Sequence, residues 1–301
     1  MQIQRTARIP AHEGAIYTIH PVHHQNRFFT GSGDGTVIQW DTRDLTQAKV
    51  VARVKDAVIS LHYMGSSAQL IIGTLSGGIH LVDLNEKREL RYFALHKQGV
   101  FDFFLTENRI LAAGGDGVLS AWDAQSWSLL GTRQIADKSI RSMAVDKSGK
   151  QIALACSDHS IRILDAESLI EKKRIEQHSN SVFKVLFSPD GRRLLSGSRD
   201  AHLAAYDLEN DFALLDYIPA HNYTINHMAF SDDGQWLATA SRDKSVKIWQ
   251  TADLRFVKKL DVVTGGHLNS VNAVFWHAES LISCSDDRSI IRWQWQASER
   301  P

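Results

Sequence analysis

The sequence has 301 residues, with 34 lysine and arginine residues balanced by 34 aspartate and glutamate residues, so its formal net charge is zero. A neutral chain has no overall field that would attract nucleic acid or an acidic membrane surface, so neither partner is expected. No run of about 18 apolar residues indicates a membrane span, and no apolar stretch near the amino terminus indicates a signal peptide. Cys156 and Cys284 are the two cysteines, a usage typical of a reducing compartment, and a cytoplasmic location is expected.

The first predicted element is a single strand over residues 2–9, ahead of the first full repeat. A glycine-rich turn then leads into a short alternating strand over residues 31–41, which ends in an aromatic residue and an acid. This segment recurs about every 42 residues. Its turn position holds Asp34, Ser76, Asp116, Asp158, Asp200, Asp243 and Asp287. Its aromatic position holds Trp40, Val82, Trp122, Leu164, Tyr206, Trp249 and Trp293.

A histidine forms a second marker, 20 or 22 residues ahead of the turn position. It is found as His12, His96, His178, His221 and His267. Only even differences occur, and in a strand an even change preserves the face on which each side chain lies. Turn sequences such as Ser188-Pro189-Asp190-Gly191 predict further hairpins within the repeats. Each repeat is therefore predicted to contain four short antiparallel strands.

The repeats fill one predicted domain over residues 1–296, followed by a short carboxy-terminal tail over residues 297–301. The approximate repeat boundaries are 10–51, 52–93, 94–133, 134–175, 176–217, 218–262 and 263–296. With seven registered copies of this unit, the sequence resembles the WD40-repeat family. The resemblance implies an all-β, seven-bladed propeller. It also implies that residues 2–9 pair with the last repeat, including Ser289 to Trp295, and so close the ring.

The resemblance further implies a hydrogen-bonded tetrad of histidine, hydroxyl residue, aspartate and tryptophan in each regular blade. Complete sets are His12, Thr30, Asp34 and Trp40; His221, Thr239, Asp243 and Trp249; and His267, Ser283, Asp287 and Trp293. Repeat five has His178, Ser196 and Asp200 with Tyr206 in place of tryptophan, and repeat three has Ala112 in place of the hydroxyl residue. Because the same trio recurs around the ring, a structural role is favoured over a catalytic triad.

Repeats two and four depart furthest from this pattern. Val54 and Ala136 stand at the histidine position, and Ile72 and Leu154 at the hydroxyl position, so these blades are expected to depend on apolar packing. The adjacent His23 and His24 lack an evident third ligand, and no metal site or cofactor is predicted. Cys156 and Cys284 lie in repeats far apart around the ring and are expected to be free thiols.

By the same resemblance, residues five after the histidine position and those just before the turn position surround one end of the central channel, called the top face here. The candidate partner-binding residues are Tyr17, Ile59, Leu75, Phe101, Arg141, Phe183, Arg199, Asn226, Arg242, Asn272 and Asp286. The apolar members fall mainly in repeats one to three and the arginines in repeats four to six. These side chains bind a peptide or loop with an apolar anchor and an acidic neighbour, or else Tyr17, Ile59 and Phe101 merely plug the channel.

Three classes of function follow from this interpretation. The first is a non-catalytic scaffold or adaptor for other proteins, monomeric by itself and part of a larger complex. The second is a propeller enzyme, such as a metal-dependent hydrolase with Asn226, Asn272 and Asp286 as oxygen ligands. The third is a nucleic-acid-binding propeller that uses Arg141, Arg199 and Arg242. Seven repeats leave no room in the sequence for an added catalytic domain, and this favours the scaffold.

Overall fold

In the computed structural model of the protein, residues 2–22 and 25–296 are described. The His23-His24 pair and the tail over residues 297–301 lie outside the described residues. The first strand is β1 (Gln2–Pro10), which belongs to the last blade. No helix within the described ranges is long and apolar enough to cross a membrane.

The described strands form seven antiparallel sheets of four strands, the blades of a propeller. Blades 1 to 3 consist of β2 (Ile16–Val22), β3 (Arg27–Ser32), β4 (Thr36–Asp41) and β5 (Ala48–Arg53); β6 (Val58–Met64), β7 (Gln69–Thr74), β8 (Gly78–Asp83) and β9 (Arg88–Ala94); and β10 (Val100–Leu105), β11 (Arg109–Gly114), β12 (Val118–Asp123) and β13 (Leu129–Gln134). Blades 4 and 5 consist of β14 (Ile140–Val145), β15 (Gln151–Cys156), β16 (Ile161–Asp165) and β17 (Glu171–Ile175); and β18 (Val182–Phe187), β19 (Arg193–Ser198), β20 (His202–Asp207) and β21 (Ala213–Pro219). Blades 6 and 7 consist of β22 (Ile225–Phe230), β23 (Trp236–Ser241), β24 (Val246–Gln250) and β25 (Phe256–Leu260); and β26 (Val271–His277), β27 (Ser280–Ser285), β28 (Ser289–Gln296) and β1.

The amino-terminal strand closes the ring, as the sequence predicts. β1 pairs antiparallel with β28 along nearly its whole length, from the Ile3–Trp295 pair to the Ile9–Ile290 pair, with one register shift. The last blade therefore combines the two ends of the described chain. Its fourth strand satisfies hydrogen-bonding groups on β28 that would otherwise form an exposed edge.

The hydrophobic core lies between the blades. The described buried residues form seven clusters, and each cluster joins two neighbouring blades. Phe28 of blade 1 and Phe275 of blade 7, for example, have ring centroids 5.1 Å apart. The second strand of a blade packs on both faces, so β3, β15 and β23 are continuously buried after their first residue. This explains why the second strands lack the alternation of polar and apolar residues that marks half-exposed strands.

The turn between the second and third strands has the same backbone in every blade. The residue after the turn position has a positive φ in all seven blades. It is a glycine in blades 1 to 3, as Gly35, Gly77 and Gly117, and another residue in blades 4 to 7. In blade 6 this residue is Lys244, with a φ of 70°. The turn aspartate holds the conformation, because Asp243 Oδ1 accepts hydrogen bonds from the Ser245 amide at 3.1 Å and its hydroxyl at 2.6 Å. The aspartate thus compensates for a non-glycine residue in a left-handed conformation.

Candidate functional site

The tetrad of blade 6 forms a chain of hydrogen bonds. Trp249 Nε1 donates to Thr239 Oγ1 at 3.0 Å, Thr239 Oγ1 lies 2.7 Å from His221 Nε2, and His221 Nδ1 lies 2.9 Å from Asp243 Oδ2. Since the indole can only donate, one consistent arrangement has the Thr239 hydroxyl donating to Nε2 and Nδ1–H donating to the carboxylate. The histidine is then neutral, which agrees with its pKa, lowered by burial against the opposing effect of Asp243.

Blades 1 and 7 repeat this arrangement. His12 Nε2 lies 2.8 Å from Thr30 Oγ1 in blade 1, and His267 Nε2 lies 2.9 Å from Ser283 Oγ in blade 7. Trp40 Nε1 and Trp293 Nε1 donate to the same hydroxyl oxygens at 2.9 and 3.2 Å. These polar side chains are therefore partnered by one another within their own blades.

The aspartates are held as carboxylates. Burial opposes the ionisation of Asp34, but hydrogen bonds from Thr36 and from the Glu13 amide outweigh it and lower its pKa to about 2. The carboxylate of Asp287 in blade 7 also accepts a hydrogen bond from Arg8 of the closing strand at 3.1 Å. The same carboxylate contacts His267 Nδ1 at 3.1 Å and accepts hydrogen bonds from the Ser289 amide and hydroxyl, so its position beside the histidine is fixed.

Blades 3 and 5 complete the cluster in different ways. In blade 5, His178 lies 2.9 Å from Asp200 and 2.7 Å from Ser196, next to the buried Tyr206. In blade 3, where Ala112 lacks a hydroxyl, the group comes from Ser120, which lies 2.9 Å from His96 Nε2 and accepts from Trp122 Nε1 at 2.9 Å. Ser120 is the register partner of Ala112 on the neighbouring strand. In blade 3 the hydroxyl group therefore comes from the third strand of the blade instead of the second.

The same cross-strand position carries the polar group of blade 4. Arg162 pairs in register with Leu154 and is only 7% exposed. Its guanidinium contacts Asp158 at 2.6 Å and Glu171 at 3.0 Å. Blade 4 was predicted to depend on apolar packing, but it also contains this buried arginine, paired with two partly exposed carboxylates.

Blade 2 has His80 at this position, paired in register with Ile72 and 3.2 Å from Glu89. Asp56, in the loop before the blade, supplies the carboxylate that accepts from the Ser76 amide. Sequence reasoning missed His80, Arg162 and Ser120. The signal that identifies them is a polar residue directly across the hairpin from a missing hydroxyl.

The first strand of each blade, called the inner strand here, has a β-bulge at its candidate top-face residue. The register of the first hairpin in every blade skips one residue near its start. The skipped residues are Tyr17, Ile59, Phe101, Arg141, Phe183, Asn226 and Asn272, which are the seven positions, five after the histidine position, that the family resemblance implied. A bulge redirects its side chain out of the regular pleat. All seven residues line a central cavity of about 690 Å³, together with Leu75.

Arg141 lies between two aromatic rings at the channel mouth. Its guanidinium carbon is 4.2 Å from the Phe101 centroid and 4.9 Å from the Phe183 centroid. Its Nε donates to Ser157 Oγ at 3.0 Å, and its pKa is lowered by burial and by the nearby charge of Arg199. The sequence suggested that the apolar and the cationic candidates occupy separate parts of the top face, but the structure stacks this arginine between two of the aromatic candidates.

The remaining candidates divide into exposed and internally bonded groups. Tyr17 is 39% exposed and Leu75 51% exposed, and Arg199 and Arg242 are also exposed. No described carboxylate lies within 4.0 Å of these two arginines. Asp286, in contrast, accepts a hydrogen bond from Asn272 at 2.7 Å.

The asparagines proposed as oxygen ligands for a metal use their amide nitrogens in hydrogen bonds between blades, and Asn272 Oδ1 accepts from Ser270 Oγ at 3.1 Å. Asn272 also donates to the Ile16 carbonyl at 2.9 Å, and Asn226 donates to Ser270 Oγ and the Val271 carbonyl, both at 2.9 Å. Among the described residues, no group of three His, Cys, Asp or Glu side chains is placed to hold a metal ion. These contacts hold the starts of neighbouring inner strands together.

The cavity wall also carries polar side chains that sequence reasoning did not single out, among them His20 and Asp102. The ring centroids of His20 and His62 are 4.8 Å apart, and burial lowers the pKa of His62. Asp102 Oδ2 accepts from the Met143 amide of the next blade at 2.8 Å. The positions vary in chemistry from blade to blade, so no repeating pattern marks them. They join adjacent inner strands around the channel.

The two cysteines are buried, free thiols. Burial raises the pKa of the Cys156 thiol to about 12, and burial also raises the pKa of Cys284. Since the thiolate is the reactive form, neither side chain is suited to nucleophilic chemistry at neutral pH.

Comparison with protein families agrees with this geometry. Residues 101–265 match a family model described as the second beta-propeller of echinoderm microtubule-associated protein. Residues 3–41 and 258–294 match the WD domain, G-beta repeat. The chain belongs to the WD40-repeat family.

Relatives of this WD40 propeller are themselves longer proteins. A chicken U3 small nucleolar RNA-associated protein 15 homolog is 28% identical over 220 residues, which cover 72% of this chain and 42% of the relative. The U3 small nucleolar RNA-associated protein 21 of Saccharomyces cerevisiae is 30% identical over 170 residues, 56% of this chain and 18% of the relative. Protein tipD of Dictyostelium discoideum is 24% identical over 299 residues, 95% of this chain and 48% of the relative. The WD40 propeller therefore spans less than half the length of these relatives.

Proposed function

We propose that this propeller is a non-catalytic scaffold that binds a peptide or loop of a partner protein on its top face. The observation that carries the proposal is the ordered stack of Phe101, Arg141 and Phe183 beside exposed apolar and cationic side chains. Because these three side chains are already fixed in the stack, little of their conformational entropy is lost when a ligand binds against them. Aromatic residues and arginines in such a setting are typical of binding hot spots.

Exposure supports binding over channel plugging. Of the three residues that would form a plug, Ile59 and Phe101 are partly buried, but Tyr17 is 39% exposed, and Leu75, which lines the same cavity, is 51% exposed. They offer an apolar anchor point, and Arg199 and Arg242 offer two charges without a described carboxylate partner. We therefore infer a ligand segment with one apolar side chain next to an acidic one.

The experiment is affinity enrichment from cells that normally make the protein, with quantitative mass spectrometry. The variant Leu75→Asp/Arg199→Glu changes two exposed top-face residues, and Leu215→Asp/Arg192→Glu makes the same chemical changes on blade 5 away from that face. We expect at least one partner to fall about tenfold or more with the top-face variant and to persist with the control. Equal partner profiles for wild type and both folded variants would refute the proposal.

The names of the chicken and yeast relatives associate those proteins with U3 small nucleolar RNA. For this chain we propose that any RNA-containing complex is joined through a protein contact, because its charge is neutral and its exposed top-face arginines are few. Ribonuclease treatment during enrichment distinguishes the two modes, since protein contacts survive it. We also propose a reducing compartment; cysteine usage suits the cytoplasm and the nucleus equally.

A further inference from the structure

Each blade ends in an outer strand with one side unpaired by any described strand, and most of these edges carry groups that discourage further pairing. Charged residues and proline on an edge strand oppose the addition of another strand. Every outer strand except β13 has at least two such residues. They are Arg5, Arg8 and Pro10 on β1; Lys49 and Arg53 on β5; Arg88, Glu89 and Arg91 on β9; Glu171, Lys172, Lys173 and Arg174 on β17; Asp216 and Pro219 on β21; and Lys258 and Lys259 on β25.

The outer strand of blade 3 lacks this protection by charge and proline, although, like the other outer strands, it has a register shift, which falls at Leu130. β13 has the sequence Leu-Leu-Gly-Thr-Arg-Gln, with Arg133 as its single charge, and all six of its residues are exposed. Leu129 and Leu130 retain 44% and 56% of their surface. The space beside Gly131 is open, since a side-chain carbon there would meet no atom within 4 Å. Together with the exposure of the whole strand, this leaves the face of β13 at Gly131 uncovered, so the side chains of an added strand would meet open space there.

A cleft between blades 3 and 4 adjoins the same edge. Its volume is about 460 Å³, and Leu130, Gly131 and Thr132 contribute to its wall. Arg109 and Arg133 also line it, and they donate to the carbonyls of Glu167 at 2.9 Å and Ser168 at 3.4 Å. Neither guanidinium has a described carboxylate within 4.0 Å. The cleft wall thus carries two cations and one acid, Glu167.

We propose that β13 is a strand-addition site for an extended, acidic segment of a partner protein. The unpaired main chain of the edge would supply hydrogen bonds, and alternate side chains of the added strand would enter the cleft or face solvent. A carboxylate in the segment would pair with Arg133 or Arg109, while an apolar side chain would cover Leu130. The site lies on the outer rim of blade 3, so it is independent of the top-face proposal.

Charge distinguishes this occupant from a second copy of the chain. Two β13 strands paired edge to edge would bring together two strands that each carry Arg133 and no acid. Such a pair would leave all the arginines without a counter-charge. An acidic partner strand removes this imbalance, and for that reason we assign the edge to a partner protein.

The test uses a synthetic peptide of about nine alternating valine and glutamate residues, long enough to span one strand. The matched control peptide replaces glutamate with lysine. Binding to the whole protein is measured by fluorescence anisotropy, and the location by amide hydrogen exchange. We expect the acidic peptide to slow exchange within residues 129–134 and to bind about tenfold or more tightly than the basic one.

Two exposed substitutions locate the effect. Leu130→Asp and Arg133→Glu are each expected to weaken binding of the acidic peptide about tenfold, whereas Leu215→Asp, at the equivalent bulge on blade 5, leaves it unchanged. Absence of protection in β13, equal binding of both peptides, or equal weakening by Leu215→Asp would overturn the proposal. Concentration-dependent dimerisation abolished by Leu130→Asp would also overturn it, in favour of a second copy.

Discussion

A single buried hydroxyl group organises the polar cluster in most blades. The hydroxyl oxygen accepts a hydrogen bond from the tryptophan Nε1 and contacts the histidine Nε2. Removal of the hydroxyl therefore leaves one nitrogen on each of these two rings without its partner. Blade 3 shows that the location of the hydroxyl matters more than the strand that carries it. Ser120 and Ala112 are register partners, and Ser120 performs there the role that Thr239 performs in blade 6.

This equivalence predicts a loss and a rescue. Ser120→Ala should reduce the free energy of unfolding by about 1–3 kcal/mol, because His96 Nε2 and Trp122 Nε1 become buried groups without a partner. The double variant Ala112→Ser/Ser120→Ala should recover at least half of that loss, since it restores the arrangement of the regular blades. Urea unfolding of the whole protein measures both.

Ser66→Ala serves as the control, because Ser66 is exposed and its hydroxyl has no hydrogen-bond partner among the described residues. Its unfolding midpoint should match that of the wild type. A Ser120→Ala protein as stable as the control would contradict the account of blade 3, as would a double variant less stable than the single one.

At the residue scale, the sequence predicted the histidines, turn aspartates and tryptophans because they recur at a fixed period. It did not predict Ser120, Arg162 or His80, because each replaces a missing group from across the hairpin, and such compensation is visible only when the strand register is known. The stacking of Arg141 was also missed. Spacing placed it at the channel mouth, but the direction of its side chain depends on its neighbours.

At the scale of elements, the closing strand was predicted from the sequence, whereas the bulge in each inner strand was not. The family resemblance, applied through the histidine position, identified the seven bulged positions but not the bulge itself, because a repeated motif gives the position of a residue and not the strand register. The pairing of β1 with β28 was predicted from the family resemblance and is confirmed. Ile3 of β1 packs against the core between blades 6 and 7, and Ala7 and Ile9 pack against the core between blades 7 and 1. These contacts hold β1 in place.

The closing strand gives a prediction about assembly. Removal of residues 1–9 should expose the edge of β28 together with the apolar surface that β1 covers, and an open edge of this kind promotes aggregation. Light scattering and thermal unfolding should show aggregates and a lower melting temperature. Addition in trans of a synthetic peptide with the sequence of residues 2–10 should partly reverse both. A truncated protein that stays monomeric and keeps its melting temperature would contradict this role.

At the scale of the whole molecule, the number of blades and their antiparallel order followed from the repeat period, and the structure confirms them. The seven cores between blades explain why the degenerate blades 2 and 4 persist, since each shares its apolar contacts with both neighbours. The function was less accessible from sequence. The same ring can carry many binding surfaces, and which one is used depends on exposed side chains that the repeat does not constrain.

The most direct test of the top-face proposal places a photo-crosslinking amino acid at position 75 on the top face, and in a second protein at position 215 on the outer rim. The native residues, Leu75 and Leu215, are similarly exposed, at 51% and 49%, so a difference in crosslinking reports location rather than access. Irradiation of the tagged proteins in their native cells is followed by mass spectrometry of the crosslinked peptides. We predict a specific partner segment, with an acidic residue beside an apolar one, crosslinked from position 75 and not from position 215. Crosslinks only from position 215, or none from position 75 with a folded protein and enriched partners, would contradict the assignment of the top face as the binding surface.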